Sequence, residues 1–293
     1  MLHTEVIIAG CGYVGKKLAQ QLYASNVNVT ALVKTTESKQ ALPPHYNALQ
    51  YDCDEANVVT NINYKDKTVF YFIPPPSQGT TDPRIQNFLN SIPVKQSPEK
   101  IVLISTTGVY GNCGNDWVDE SRPPAPDTDR AHRRLAAEQY LAYWCDKQSV
   151  SYSILRVPGI YGADKLPLQR LKQARPILKL DESPWSNRIH VDDLVQACVK
   201  AMAYKGKFLI FNISDGHPST MSDYFIQVAK VMKLPEPEQI SLEACKNIFS
   251  ENMMSYLIES KKICIERMLK ELKVTLKYPT LKDGLSSIAS ADK

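Results

Sequence analysis

The chain has 293 residues, enough for one large α/β domain or for a cofactor domain with a smaller partner lobe. Its 35 basic and 31 acidic residues leave a formal charge of only +4, with no basic run and no basic–aromatic interleaving, so a nucleic-acid partner is not expected. No apolar stretch approaches the roughly 20 residues of a membrane span, nothing near the N-terminus reads as a signal peptide, and neither a membrane nor a secretory role is expected. Seven scattered cysteines (11, 53, 113, 145, 198, 245 and 264) contain no C-x-x-C pair. They read as reduced thiols, with no disulfide framework and no metal site, which points to a cytoplasmic protein.

In chain order, the first element is a short apolar run, Val6 to Ala9, that passes through Gly10-Cys11-Gly12-Tyr13-Val14-Gly15 into a segment with Val14, Leu18 and Leu22 at helical spacing. Strand, glycine turn and helix in this order suit a dinucleotide. One glycine serves the tight turn, one the approach of backbone to a pyrophosphate, and one the close packing of helix on strand. The anion then rests on free N–H groups at the helix N-terminus. A glycine turn that serves packing alone is the other reading. Asn28 to Val33 is a second strand, and Lys34-Thr35-Thr36-Glu37-Ser38 follows it. An acidic residue there would accept from both ribose hydroxyls of NAD. A cation beside hydroxyl side chains instead favours the 2′-phosphate of NADP(H) over NAD(H), although an ordinary polar loop has the same composition.

Ala48 to Tyr51 reads as a third strand, with Asp52 placed to contact adenine, and Thr68 to Ile73 as a fourth, almost wholly apolar. Pro74-Pro75-Pro76 ends it, either as a stiff apolar wall beside the cofactor or as a rigid turn. Ile101 to Ser105 is the fifth strand and leads into Thr106-Thr107-Gly108-Val109-Tyr110-Gly111. Beyond it come Leu155-Arg156-Val157-Pro158-Gly159-Ile160-Tyr161-Gly162, Asn187-Arg188-Ile189-His190-Val191-Asp192-Asp193-Leu194, and a seventh strand over Phe208 to Ile213. The segment Met221 to Met232 places Tyr224, Phe225, Val228 and Val231 at helical spacing and reads as core.

The glycine turn and the three later motifs, in this order and spacing, resemble the extended short-chain dehydrogenases/reductases, the NAD-dependent epimerase/dehydratase family. Ser260-Lys261-Lys262 and Tyr278-Pro279-Thr280 resemble the C-terminal segment of an atypical branch. The resemblance implies a doubly wound, seven-stranded parallel Rossmann sheet formed by residues 1–160 and completed by about 188–214, with a small substrate lobe from 161–187 and 215–293. It implies a bound NAD(P) touching Gly10 to Gly15, Lys34, Thr35, Asp52, Ile73, Pro74, Pro75, Arg134 and Pro158. It also implies a small-molecule, nucleotide-sugar-like or anionic substrate near Arg156, Arg188 and His190, and allows a homodimer.

Family catalysis uses a Ser or Thr at the end of the fifth strand and a Tyr and Lys four residues apart on the next helix. Thr106 fits the first position. Aligning Ala137-Glu138 puts Arg130 at the Tyr position and Arg134 at the Lys position, so both are replaced. Arginine, with a pKa above about 12, offers no deprotonated form as base. Tyr110 is the substitute that the fifth-strand motif offers, and His132 points about 200° away around the helix from Arg130. Arg130 and Arg134 either face the cofactor or form a solvated stripe pairing with Glu138. The activity expected is that of an atypical oxidoreductase or epimerase, with a cofactor-binding sensor or interaction protein as the alternative.

Overall fold

The computed structural model describes residues 5–55 and 62–291. Its centre is a seven-stranded, wholly parallel sheet, built from β1 (Glu5–Ala9), β2 (Asn28–Val33), β3 (Asn47–Gln50), β4 (Thr68–Tyr71), β5 (Lys100–Thr106), β6 (Ser151–Val157) and β7 (Ile210–Asn212). The spatial order is β3-β2-β1-β4-β5-β6-β7, every neighbouring pair running parallel. The chain starts in the middle, winds to one edge, returns and winds to the other. The order therefore reverses between β1 and β4, and it is outside the carboxyl ends of strands at such a switch point that a doubly wound sheet binds its ligand.

The apolar runs of these strands follow from burial on both faces. Val6, Ile8, Val29, Phe70 and Val102 face one layer, formed by α1 (Tyr13–Ala24) and the helix Val191–Ala203. Ile7, Ala9, Leu32, Val69 and Leu103 face the other, formed by α2 (Pro83–Asn90) and α3 (Asp129–Gln148). Asp82 caps α2 through Arg84 N, followed by Pro83 at the first helical position, and Thr128 caps α3 through Ala131 N.

A smaller cluster holds the remaining helices together. Tyr224, Phe225 and Val228 from the helix Met221–Val231 pack with Tyr161, Leu281 and Leu285, as the helical spacing predicts. Two short parallel strand pairs carry the chain across the mouth of the sheet. Gly159–Tyr161 pairs with Arg188–His190, and Trp117–Val118 pairs with Lys262–Ile263. The second pair brings the C-terminal segment back to β5 and its following turn. All seven cysteines are free thiols, and six of them are buried. No helix among the described residues is long and apolar enough to cross a membrane.

Candidate active site

The glycine turn is built as its spacing requires. Gly10 has φ +90°, and a Cβ there would lie 2.7 Å from the backbone nitrogen of Ile73. A Cβ on Gly15 would lie 2.9 Å from the Gly10 carbonyl oxygen. Gly12, in contrast, faces open space, with nothing within 4 Å of the same position. Two glycines are thus closed against protein, and the third leaves a cradle at the start of α1, where no side chain caps the helix and no acidic residue occupies the first turn. A pyrophosphate fits such a place, since the free N–H groups and the helix dipole favour an anion. Cys11 is buried within the turn, and burial pushes its thiol up to about 11, so it packs as a small apolar group. Tyr13 reaches across to the second lobe, where its hydroxyl oxygen lies 2.4 Å from the place a Cβ on Gly162 would take.

At the end of β2 the surroundings of Lys34 differ from the sequence expectation. Its Nζ lies 2.5 Å from Asp54 and 3.3 Å from Asp52, so two carboxylates flank the cation that was expected to stand free for a 2′-phosphate. Thr35 spends its hydroxyl capping the short helix Thr36–Gln40, accepting from Ser38 N, and Thr36 donates to Gln50. Any 2′-phosphate here meets these two carboxylates as competitors for the lysine. Asp54 also accepts two hydrogen bonds from Arg84, which donates in turn to the Pro74 carbonyl at 3.0 Å. The side chain that pairs with Lys34 is therefore tied to the proline loop through one arginine.

Beside the carboxyl ends of β5 and β6 lies a cavity of about 530 Å³. Pro75, Pro76, Thr106, Thr107, Arg130, Arg133, Arg134, Pro158, Arg188, Glu259 and Lys261 are among its lining residues. Thr106 ends β5, and its Oγ1 accepts from Gly108 N at 3.1 Å. Arg130 and Arg134 both face this cavity, so the alternative of a solvated stripe is overturned. Its expected partner Glu138 instead pairs with Arg156 inside the protein. Arg134 donates to the Ile104 carbonyl, and burial lowers its pKa from the ordinary arginine value. His132 is exposed on the other side of α3.

Three further residues are corrected. Tyr110 is fully buried and donates to Asn212 Oδ1 at 2.8 Å, with burial pushing its phenol up to about 12, so it is a core group away from the cavity rather than a catalytic one. Arg156 is 2% exposed, its guanidinium holding the Glu138 carboxylate at 2.7 Å and covering the Tyr110 ring, so it braces β6 against α3 and does not meet substrate. His190 caps the helix Val191–Ala203 through Nδ1, which accepts from Asp192 N. It packs between Tyr161 and Tyr278, 5% exposed, and does not line the cavity. The next motif residue, Asp193, accepts from Lys277 N and Tyr278 N and secures the C-terminal segment.

Arg188 alone of the expected substrate residues lines the cavity. It is buried, lies over the Tyr224 ring, and donates to Ser186 Oγ at 2.7 Å and the Asn187 carbonyl at 2.9 Å. Its Nε has no partner. Among the described residues neither Arg133, Arg134 nor Arg188 forms an ion pair with a carboxylate. Removing a guanidinium from water without a counter-charge costs several kcal/mol, so buried charges ordinarily find partners. The cavity is arranged for an anion.

Sequence reasoning missed Glu259, Lys261 and Tyr256, all of which line the cavity. They arrive with the strand Lys262–Ile263, which Asn187 holds at both edges. Its Nδ2 donates to the Lys261 carbonyl and its Oδ1 accepts from Ile263 N. These pairs are more than 70 positions apart in the chain, and no local pattern announces them. The available signals were Asn187 within its motif and the Ser260-Lys261-Lys262 segment, neither of which says that the two meet.

Comparison with known proteins agrees with this architecture. A model of the NAD dependent epimerase/dehydratase family matches residues 84–214. A Methanocaldococcus jannaschii protein with the provisional name UDP-glucose 4-epimerase is 24% identical over 75% of this chain and 79% of its own. The chloroplastic epimerase family protein SDR39U1 homolog of Arabidopsis thaliana is 22% identical over 97% of this chain and 86% of its own. Among solved structures, a functionally unknown conserved protein from Silicibacter pomeroyi superposes with a TM-score of 0.83 at 24% identity, each chain covered to 99%. The UDP-glucose 4-epimerase of Thermotoga maritima, solved with UDP-glucose, gives 0.76 at 16% identity, covering 98% of this chain and 97% of that one. With its four motifs in register on this sheet, the chain resembles the NAD-dependent epimerase/dehydratase family, whose model matches residues 84–214, and it shares the fold of these solved structures.

Proposed function

We propose that this protein is an NAD(P)-dependent oxidoreductase or epimerase-like enzyme acting on an anionic, nucleotide-sugar-like small molecule. The observation that carries the reading is a cavity beyond the carboxyl ends of β5 and β6 whose Arg133, Arg134 and Arg188 have no carboxylate partner among the described residues. Residues 1–160, completed by 188–214, hold the cofactor, and the remaining segments complete the substrate side. Gly10 to Gly15 receive the pyrophosphate, Asp52 and Thr35 stand at the adenosine end, Ile73 to Pro75 and Pro158 wall the nicotinamide, and Thr106 orients the reacting oxygen. When bound, the cofactor supplies hydride transfer. Solved structures of this fold that hold UDP-glucose or UDP-glucuronic acid together with NAD support an anionic substrate in this cavity.

The test is Arg188→Gln. UDP-glucose binding to the cofactor-saturated protein is expected to weaken by roughly 10- to 100-fold, as loss of a hydrogen bond to a charged group implies, with cofactor affinity unchanged. Unaltered UDP-glucose affinity would remove Arg188 from the site.

NADP(H) preference belongs to the same proposal and depends on Lys34. If the cation leaves Asp52 and Asp54 for a 2′-phosphate, fluorescence titration should show NADPH bound more tightly than NADH, and Lys34→Ala should erase the difference. Equal affinities in the natural protein would mean that the carboxylates keep the lysine.

A second reading, binding without turnover, is favoured by Arg130 and Arg134 at the positions of the family's Tyr and Lys. Tight binding with neither net nicotinamide oxidation or reduction nor any change in sugar configuration, across a panel of nucleotide sugars, would decide for it.

A further inference from the structure

Of the acidic side chains in the described part of the molecule, one enters the cationic cavity. Glu259 Oε1 meets the Lys261 ammonium, and its Oε2 lies 3.5 Å from the Arg130 guanidinium. A carboxylate bridging an ammonium and a guanidinium is the arrangement that a ligand carboxylate or phosphate would adopt at the same two cations. Arg130 has side-chain partners besides Glu259. Arg130 donates to Ser255 Oγ at 2.6 Å, and its guanidinium lies 3.7 Å from the centre of the Tyr256 ring. Lys261 is fixed through its backbone, its N–H donating to the Trp185 carbonyl and its carbonyl accepting from Asn187. Its side chain is only 4% exposed, and the cavity is what it faces.

We propose that Arg130 and Lys261 form a second anion-binding point of the cavity, for which Glu259 is an internal placeholder that an anionic group of the ligand displaces. This rests on the reading that the cavity takes an anionic ligand, and it narrows the substrate class to molecules with two separate anionic groups, one for Arg188 and one for this pair. The free protein keeps a buried ammonium and a partly buried guanidinium neutralised by its own carboxylate. A ligand that supplies the anion releases Glu259 to rotate away, while Arg130 keeps Ser255 and the Tyr256 ring and the buried Lys261 ammonium turns from Glu259 to the ligand. Glu259 then lowers affinity for anions generally and admits those that offer a full negative charge at the right place.

The placeholder role predicts an effect opposite to that of an ordinary binding residue. Pyrophosphate is titrated calorimetrically into full-length protein saturated with NADH or NADPH, for the natural protein, Glu259→Gln and Lys261→Met, with malonate as the carboxylate arm. Glu259→Gln keeps the side-chain shape, removes the competing charge, and should tighten pyrophosphate roughly tenfold, with a steeper loss of affinity as salt is added. Lys261→Met should weaken it by a similar factor and abolish the gain from Glu259→Gln in the double variant. A gain seen with malonate as well shows that the pair accepts carboxylate, and a gain with pyrophosphate alone assigns it to phosphate. Weaker or unchanged binding in Glu259→Gln with an unaltered melting temperature overturns the proposal, as does the absence of pyrophosphate binding in both proteins. If neither nucleotide binds, the cofactor reading falls by itself. The titrations are then run without nucleotide on Gly12→Val protein, where the turn no longer competes for pyrophosphate.

Discussion

Gly12→Val is expected to abolish binding of NADH and NADPH while leaving the fold intact. The space around Gly12 is open, so a valine side chain meets no protein atom within 4 Å at its Cβ. The same open space is where a pyrophosphate would approach the backbone, and branched methyl groups there hold it away from the helix N-terminus. Losing several charge-assisted hydrogen bonds at once should cost at least about 3 kcal/mol, a loss of affinity above 100-fold. Fluorescence titration with either nucleotide reports the loss, and thermal melting within about 2 °C of the natural protein shows that the fold persists. The neighbouring Gly10→Ala should behave in the opposite sense. Its Cβ lies 2.7 Å from the Ile73 nitrogen, and its φ is +90°, so steric overlap and left-handed strain add to roughly 2–5 kcal/mol of destabilisation. If Gly12→Val binds cofactor unchanged, the turn has only a packing role.

Arg156→Ala should produce the largest loss of stability among the motif arginines, about 3–5 kcal/mol. The guanidinium and the Glu138 carboxylate are 2% and 4% exposed. Two nitrogens of the arginine donate to the carboxylate, and Ser105 donates to it at 2.5 Å, so all of its surroundings are hydrogen-bonded. Removing one member leaves an uncompensated charge in a buried place, which costs more than the pair contributes. Urea denaturation would show a lower midpoint with an unchanged slope. Replacing both members, Glu138→Leu with Arg156→Met, should restore most of the lost stability, because the desolvation of both charges is then avoided. A variant of normal stability with weakened substrate binding would return Arg156 to the site from which its burial removes it.

The stability and site effects separate because these arginines look alike in sequence and occupy different surroundings. Arg130, Arg133, Arg134, Arg156 and Arg188 all fall in the family motifs or on the helix between them. Arg156 alternates on β6 toward α3 and meets Glu138, whereas Arg188 lies on the Arg188–His190 strand that crosses the sheet's mouth and meets only neutral groups. Residue type and motif membership are the same for both. The partner is supplied by another element, and that is what decides between a brace and an anion site.

The sequence by itself determined the sheet. Runs such as Val6 to Ala9 and Val69 to Tyr71 are apolar because both faces are covered, and the glycine spacing requires a tight turn before α1. Each of these signals lies within a few residues of what it specifies. It also determined that Arg130 and Arg134 share one face of α3, because helical spacing places residues four apart on the same side. Tertiary structure alone decided which side that is, that Lys34 has Asp52 and Asp54 beside it, that Tyr110 and His190 are packing groups, and that Glu259 and Lys261 join the cavity from the far end of the chain. The reason is physical. Secondary structure responds to patterns of a few residues, whereas the charge state and reach of a site depend on which groups the fold brings within a few ångströms, and here these are separated by as many as 129 positions, from Arg130 to Glu259.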